Sequence, residues 1–136
     1  IETGLPAAWA DKPLPRHTRV SAQSRTAKNL LLFPTFKLVI GPDHCCSMIE
    51  FPVSAGFTRQ RWDFYFLSDG ANNPVYEPTR RELIDFFCET NEEDLGAVEG
   101  LHLGRQSSGF EGGVLSEVWE GAVHQFFRLN MHYMKV

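Results

Sequence analysis

The sequence predicts an α+β fold, and three patterns indicate it. Strand-like runs separated by turn formers fill residues 19–67, a helix start signal stands at Thr79, and an apolar stripe recurs near the C-terminus. With 136 residues and a mass of 15.5 kDa, the chain has the length of one domain. We therefore expect a single domain over residues 1–136, in which antiparallel strands precede two helices.

The first half of the chain predicts an extended arm followed by an antiparallel meander. Residues 1–17 contain three prolines, which remove backbone donors and disfavour regular structure, so we expect an arm there. Turn formers such as Gly41 and Pro42 separate the later segments, which are rich in β-branched and aromatic residues. Four strands are predicted within residues 19–67: an edge strand at 19–26, a strand at 29–40 with a bulge or edge position at Pro34, and strands at 44–53 and 57–67.

A central helix is predicted over residues 78–106. Thr79 and Glu82 have the spacing of a capping box, in which each side chain accepts from a backbone N–H at the helix start. The side chains that recur every three or four residues share one face: Leu83, Phe87, Asn91, Asp94, Val98 and Leu101. A carboxylate on a buried face is costly unless it is paired or bound to a metal, so Asp94 requires a partner from outside this helix.

A second helix is predicted over residues 116–134, with Ser116 as its cap. Its apolar side chains cover a wide face, which suits a helix wrapped by a curved sheet. They are Val118, Trp119, Ala122, Val123, Phe126, Phe127, Leu129 and Tyr133.

Composition excludes several classes of function. A net charge of −4 and a pI near 5.7 disfavour polyanion binding, and the basic residues near the N-terminus indicate a solvated strand face rather than a nucleic-acid site. The longest apolar run, residues 29–40, is too short to span a bilayer, so no membrane insertion is expected. Three cysteines without zinc-type spacing favour a reducing, cytoplasmic location. The chain begins at Ile1, as expected of a processed protein or of a piece of a longer one.

Asp94 is the leading candidate for a metal ligand, because hard and borderline cations bind carboxylate oxygen. The alternative is that Asp94 lies at the edge of the stripe and interacts with solvent or an arginine. His102 lies eight residues further on, about 12 Å along a helix, too far to share an ion with Asp94. A complete mononuclear site is therefore not expected from this chain. Cys45, Cys46 and Cys88 lack an identifiable histidine partner and are expected to be structural thiols.

Four segments, taken in order, resemble a known family. They are residues 29–34 (NLLLFP), 61–66 (RWDFYF), 93–104 (EDLGAVEGLHLG) and 120–126 (EGAVHQF). The order and spacing are similar to those of Rieske-type ring-hydroxylating oxygenases. The resemblance is to the C-terminal half of the catalytic domain of the alpha subunit, and it covers about residues 27–130.

This resemblance implies a helix-grip fold of the START and birch-pollen-allergen kind, complete or incomplete, in which an antiparallel sheet wraps a long C-terminal helix. It implies that Asp94 is the carboxylate of a two-His-one-carboxylate triad that holds mononuclear Fe(II), beside which dioxygen and an apolar or aromatic substrate bind. A Rieske [2Fe–2S] cluster supplies the electrons. The implied substrate pocket is formed by Asn29, Val39, Ile84, Phe87, Thr90 and Asn91.

The chain also departs from the family pattern. The two iron-binding histidines and the Rieske domain belong upstream of these residues, so the segment alone is not expected to be active. Thr35 stands where an asparagine is common and His102 where a glutamine is common, which affects substrate contacts more than the fold. The resemblance further implies a ferredoxin or reductase as electron donor and a homotrimer. Two alternatives stay open: a START-like module that binds a hydrophobic ligand without metal, and a purely structural role.

Overall fold

The computed structural model describes residues 2–4, 14–21, 24–116 and 118–134. In these residues, five antiparallel strands form one sheet in chain order, and they are followed by two helices. The strands are β1 (Glu2–Gly4), β2 (Thr26–Leu32), β3 (Phe36–Ile40), β4 (His44–Ser54) and β5 (Phe57–Phe66), and the helices are α1 (Glu77–Arg105) and α2 (Gly121–Met134). The predicted α+β class is confirmed, and the element order is consistent with a helix-grip arrangement.

The prediction of one strand over residues 29–40 is wrong, because these residues belong to the β2–β3 hairpin. Leu32 pairs with Phe36 across a turn at residues 33–35, and the peptide bond between Phe33 and Pro34 is cis. Pro34 has no backbone N–H for a ladder, so the strand ends there instead of bulging. The hairpin brings Asn29 opposite Val39.

The N-terminal predictions are met only in part. Residues 1 and 5–13 of the expected arm lie outside the described residues, but Glu2–Gly4 is a strand that pairs with β2. The predicted edge strand at 19–26 is also wrong in its described part. Residues 18–20 form a turn in which the Val20 N–H donates to the His17 carbonyl, and β2 begins only at Thr26. Residues 22–23 lie outside the residues that the structure describes.

The two later strands agree with the sequence. β4 and β5 differ from the predicted 44–53 and 57–67 by one residue at their C-terminal ends, and they pair from His44↔Phe66 to Ser54↔Phe57 with an irregularity near Pro52. The alternation of aromatic residues in β5 decides which side chains face the core, since successive residues point to opposite faces.

Both helices form, but neither begins where its predicted cap placed it. α1 starts at Glu77, two residues before Thr79, directly after a 3-10 turn over Pro74–Tyr76 in which the Asn73 side chain accepts from the Val75 N–H at 3.1 Å. α2 starts five residues after Ser116. The Ser116 hydroxyl accepts from the Trp119 N–H, and the Glu120 side chain accepts from the Ser116 N–H. These hydrogen bonds stabilise a turn that precedes the helix. None of the described helices is long and apolar enough to cross a bilayer.

The residues divide into two compact units, Ile1–Glu92 and Glu93–Val136, and each is described on its own. The single-domain expectation stays a prediction, as does the wrapping of the sheet around α2. In the first unit, Leu14 and Leu83 are the buried centre of a cluster that joins the sheet to the first turns of α1. The partly buried side chains packed against them are Phe64, Phe66, Tyr76, Phe86 and Phe87.

In the second unit, the predicted apolar stripes are largely exposed. Phe126 and Leu129 of α2 are half-buried, but α2 contains no fully buried residue within its described range. Val118 and Trp119 precede the helix and are exposed. Periodicity places these side chains on one face, whereas burial requires a neighbouring element to cover that face. The covering of this face by the sheet stays a prediction.

Truncating Leu83 tests this core. Leu83 is 3% exposed, so Leu83→Ala should lower the free energy of unfolding by about 2–4 kcal/mol, because it leaves a cavity against the aromatic cluster. Urea denaturation followed by circular dichroism measures the change. Leu103, on the same helix, is 68% exposed, and Leu103→Ala should cost about 0.5 kcal/mol or less. Equal losses in the two variants would contradict the assigned core.

Candidate functional site

One row of side chains crosses four strands on the face of the sheet that contacts α1. Asn29 of β2 pairs with Val39 of β3, Val39 with Cys46 of β4, and Cys46 with Phe64 of β5. Because directly paired residues of antiparallel strands point to the same face, these four side chains lie in one line. The row therefore brings together two of the predicted pocket residues, Asn29 and Val39.

Phe87 packs α1 against this face of the sheet. Its ring lies 5.5 Å from that of Phe64, 5.8 Å from the His44 imidazole and 6.2 Å from Trp62, measured between centroids. Its contacts with Phe64 and His44 are edge-to-face, the arrangement that aromatic quadrupoles favour. Ile84, three residues earlier, is half-buried like Phe87. Of the predicted pocket residues on α1, Phe87 thus contacts the sheet directly.

A buried Asp43–His44 pair, which the sequence analysis missed, lies at one end of this face. The His44 Nδ1 is 2.7 Å from the Asp43 Oδ1, and both side chains are nearly inaccessible to solvent. A carboxylate only accepts, so the imidazole proton is on Nδ1 and donates to Asp43. A Cβ at Gly41 would lie 2.7 Å from the His44 ring, so the ring requires glycine there. The turn predicted from Gly41 and Pro42 lies next to this pair, but no sequence pattern indicated that Asp43 and His44 interact.

The thiols near the row are poor nucleophiles. Burial raises the pKa of Cys46 to about 12, and burial also raises the pKa of Cys45. A thiol reacts as its thiolate, so burial lowers the reactivity of both groups. All three cysteines are free; Cys46 is buried, as expected of a structural thiol, but Cys88 is exposed, so the expectation of a buried thiol is wrong there.

The other predicted site residues lie further along α1. Asn91 is half-buried, and Thr90 is exposed, with its hydroxyl donating to the Phe86 carbonyl at 2.8 Å. Asp94 belongs to the second unit and is exposed. The expectation that Asp94 lies on a buried face is therefore wrong, because the apolar residues around it on α1 are themselves exposed, as at Leu95 and Val98. Its role as a metal ligand stays a prediction.

The donor set in the described parts of the chain does not fit a complete metal site. No three His, Cys, Asp or Glu side chains among those residues lie close enough together to hold one ion. A facial triad requires two imidazoles and one carboxylate. Asp94 fits the carboxylate of such a triad, but two further ligands are needed from outside the described residues.

Comparison with known proteins gives one match. A model of the ring-hydroxylating alpha subunit, catalytic domain, matches residues 4–135, which is nearly the whole chain. Neither the search of curated proteins nor the search of solved structures gave a match.

Thiol labelling tests the environment of the row. At pH 8, a pKa of about 12 leaves roughly one Cys46 in 10⁴ as thiolate, and the side chain is buried, so iodoacetamide should modify Cys46 only on unfolding. Cys88 is exposed and should react in the native protein. Peptide mass spectrometry with and without urea measures both. Native labelling of Cys46 at the rate of Cys88 would show that the row is open to solvent.

Proposed function

This chain belongs to the family of ring-hydroxylating alpha-subunit catalytic domains, and we propose that it forms part of a Rieske-type non-haem iron oxygenase that hydroxylates an apolar or aromatic small molecule with O₂. The observation that carries the proposal is the family match over residues 4–135. The ordered motifs of residues 29–34, 61–66, 93–104 and 120–126 all lie within this match.

The proposed substrate wall is the face of the sheet on which Phe87 packs. Asn29 and Val39 are adjacent across β2 and β3, and both are half-buried. Val39 and the aromatic side chains supply apolar surface that excludes water, and Asn29 places one polar side chain beside it. Such a wall fits a mostly apolar molecule with one polar group. Ile84, Thr90 and Asn91 belong to the same proposed pocket.

Asp94 is the proposed carboxylate ligand of the iron. Members of the family generally use a mononuclear iron in the catalytic domain, and when bound it supplies the site for dioxygen. In this proposal, two histidines and the Rieske [2Fe–2S] cluster come from other parts of a longer protein. The exposure of Asp94 is compatible with this role, since a ligand has to be accessible to the elements that carry the remaining ligands.

The partners and location follow from the same proposal. The family generally works with electron-transfer partners and forms oligomers, and we assign this protein a ferredoxin or reductase as electron donor and a homotrimeric assembly. A cytoplasmic location agrees with three free thiols, which are typical of a reducing compartment.

A second candidate function is a START-like module that binds a hydrophobic molecule without metal. The apolar face beneath Phe87 supports it, since such a face can bind an apolar molecule without a metal. Iron content separates the two candidates. An intact protein that stays iron-free after anaerobic reconstitution with Fe(II), yet binds an apolar ligand, would support the second.

Substitution of Asp94 tests the ligand role. In the intact protein that carries this chain, Asp94→Ala should lower the iron content by roughly tenfold or more and abolish substrate hydroxylation, because one of three ligands is removed. Metal analysis and product detection measure the two effects. Glu93→Ala removes a neighbouring exposed carboxylate and should retain the iron. Full iron loading of a folded Asp94→Ala protein would exclude Asp94 as a ligand.

A further inference from the structure

A cavity of about 350 Å³ lies at the end of the sheet where the β3–β4 turn meets the 14–21 segment. Three of its lining residues, Ile40, Cys45 and Tyr65, are paired across β3, β4 and β5. Each is the sequence neighbour of a member of the Val39–Cys46–Phe64 row. Since successive strand residues point to opposite faces, these three side chains point away from that row. His44 and Phe66, which also line the cavity, pair with each other and share the face of the row, so the cavity lies at the end of the sheet. We call it the outer pocket.

Backbone hydrogen bonds hold the 14–21 segment over the outer pocket. The His17 N–H donates to the Pro42 carbonyl at 2.9 Å, and the Val20 N–H donates to the His17 carbonyl at 3.0 Å. Leu14, at the start of the segment, is buried in the core beside Leu83. Leu14 and His17 therefore anchor the start of the wall that is formed by His17, Arg19 and Val20, to the core and to the β3–β4 turn.

The interior of the outer pocket is apolar. Its lining includes the apolar residues Val20, Ile40, Phe66 and Leu67, together with Tyr65. A volume of about 350 Å³ is near the lower end of the range for small-molecule sites, roughly 300–1,000 Å³, so it suits a body of one or two rings.

The lining of the outer pocket includes an exposed cation, Arg19. The His17 Nδ1 accepts from the Arg19 N–H at 3.1 Å, so a neutral His17 carries its proton on Nε2 and can donate there. Asp63, which lies two residues from Tyr65 on the same face of β5, forms an ion pair with Arg61 at 3.0 Å, which offsets its charge.

We propose that the outer pocket is a binding site for a small monoanion with an apolar body, such as an aromatic carboxylate. The ring occupies the space between Ile40, Tyr65 and Leu67, and the carboxylate lies at the mouth near Arg19. This assignment follows from the volume, the apolar lining and the exposed cation, and it does not depend on the iron site.

The test is calorimetric titration of the intact protein with 2-naphthoate and with its neutral analogue 2-naphthamide. We expect naphthoate to bind with a Kd of about 1 mM or tighter, and more tightly than the amide. Arg19→Glu should weaken naphthoate binding about tenfold and leave amide binding unchanged, because only the carboxylate meets the reversed charge. Arg25→Glu makes the same change of charge outside the pocket lining and should alter naphthoate binding less than twofold.

A second variant tests the interior. Ile40→Trp fills the pocket and should abolish binding of both compounds while the far-UV circular dichroism stays that of the unaltered protein. Three results would each overturn the proposal: no naphthoate binding at about 5 mM, equal losses in Arg19→Glu and Arg25→Glu, or unchanged binding in a folded Ile40→Trp protein. Because Arg19 is exposed, its variant is informative even if Ile40→Trp fails to fold.

Discussion

The aromatic contact of Phe87 with the sheet is the interaction on which the first unit depends. Phe87 touches Phe64, Trp62 and His44, which come from two neighbouring strands, so one side chain fixes both the position and the rotation of the first turns of α1. Leu83, one turn earlier, completes the contact with Leu14 and the surrounding rings. With α1 held there, Asn29 and Val39 lie beside a defined apolar wall instead of on an open sheet.

The alternation of side chains gives the same sheet two surfaces with different chemistry. One surface carries the Asn29–Val39–Cys46–Phe64 row beneath Phe87, and the other carries Ile40, Cys45 and Tyr65 at the outer pocket. Polar groups that could react are largely neutralised: His44 donates to Asp43, and burial raises the pKa of Cys46. The first unit thus presents apolar surface and a few hydrogen-bonding groups, which are suited to ligand binding.

Reactive chemistry in this family instead requires iron, and iron requires several ligands in a fixed geometry. A single carboxylate such as Asp94 provides charge and one coordinating group, but it cannot exclude water or define an open coordination position by itself. In the proposed function, this chain therefore provides the carboxylate and a pocket wall, and the imidazoles come from other parts of a longer protein.

The sequence by itself determined the α+β class, the bounds of α1 and of β4 and β5 to within a residue, and the family, because these depend on local periodicity and on the order of motifs. It did not determine the hairpin at Pro34, the Asp43–His44 pair, the outer pocket or the exposure of Asp94. Those features depend on strand register and on which surfaces cover one another. Register pairs residues that are distant in the chain, so periodicity can place Asp94 on a face of its helix but cannot say whether anything covers that face.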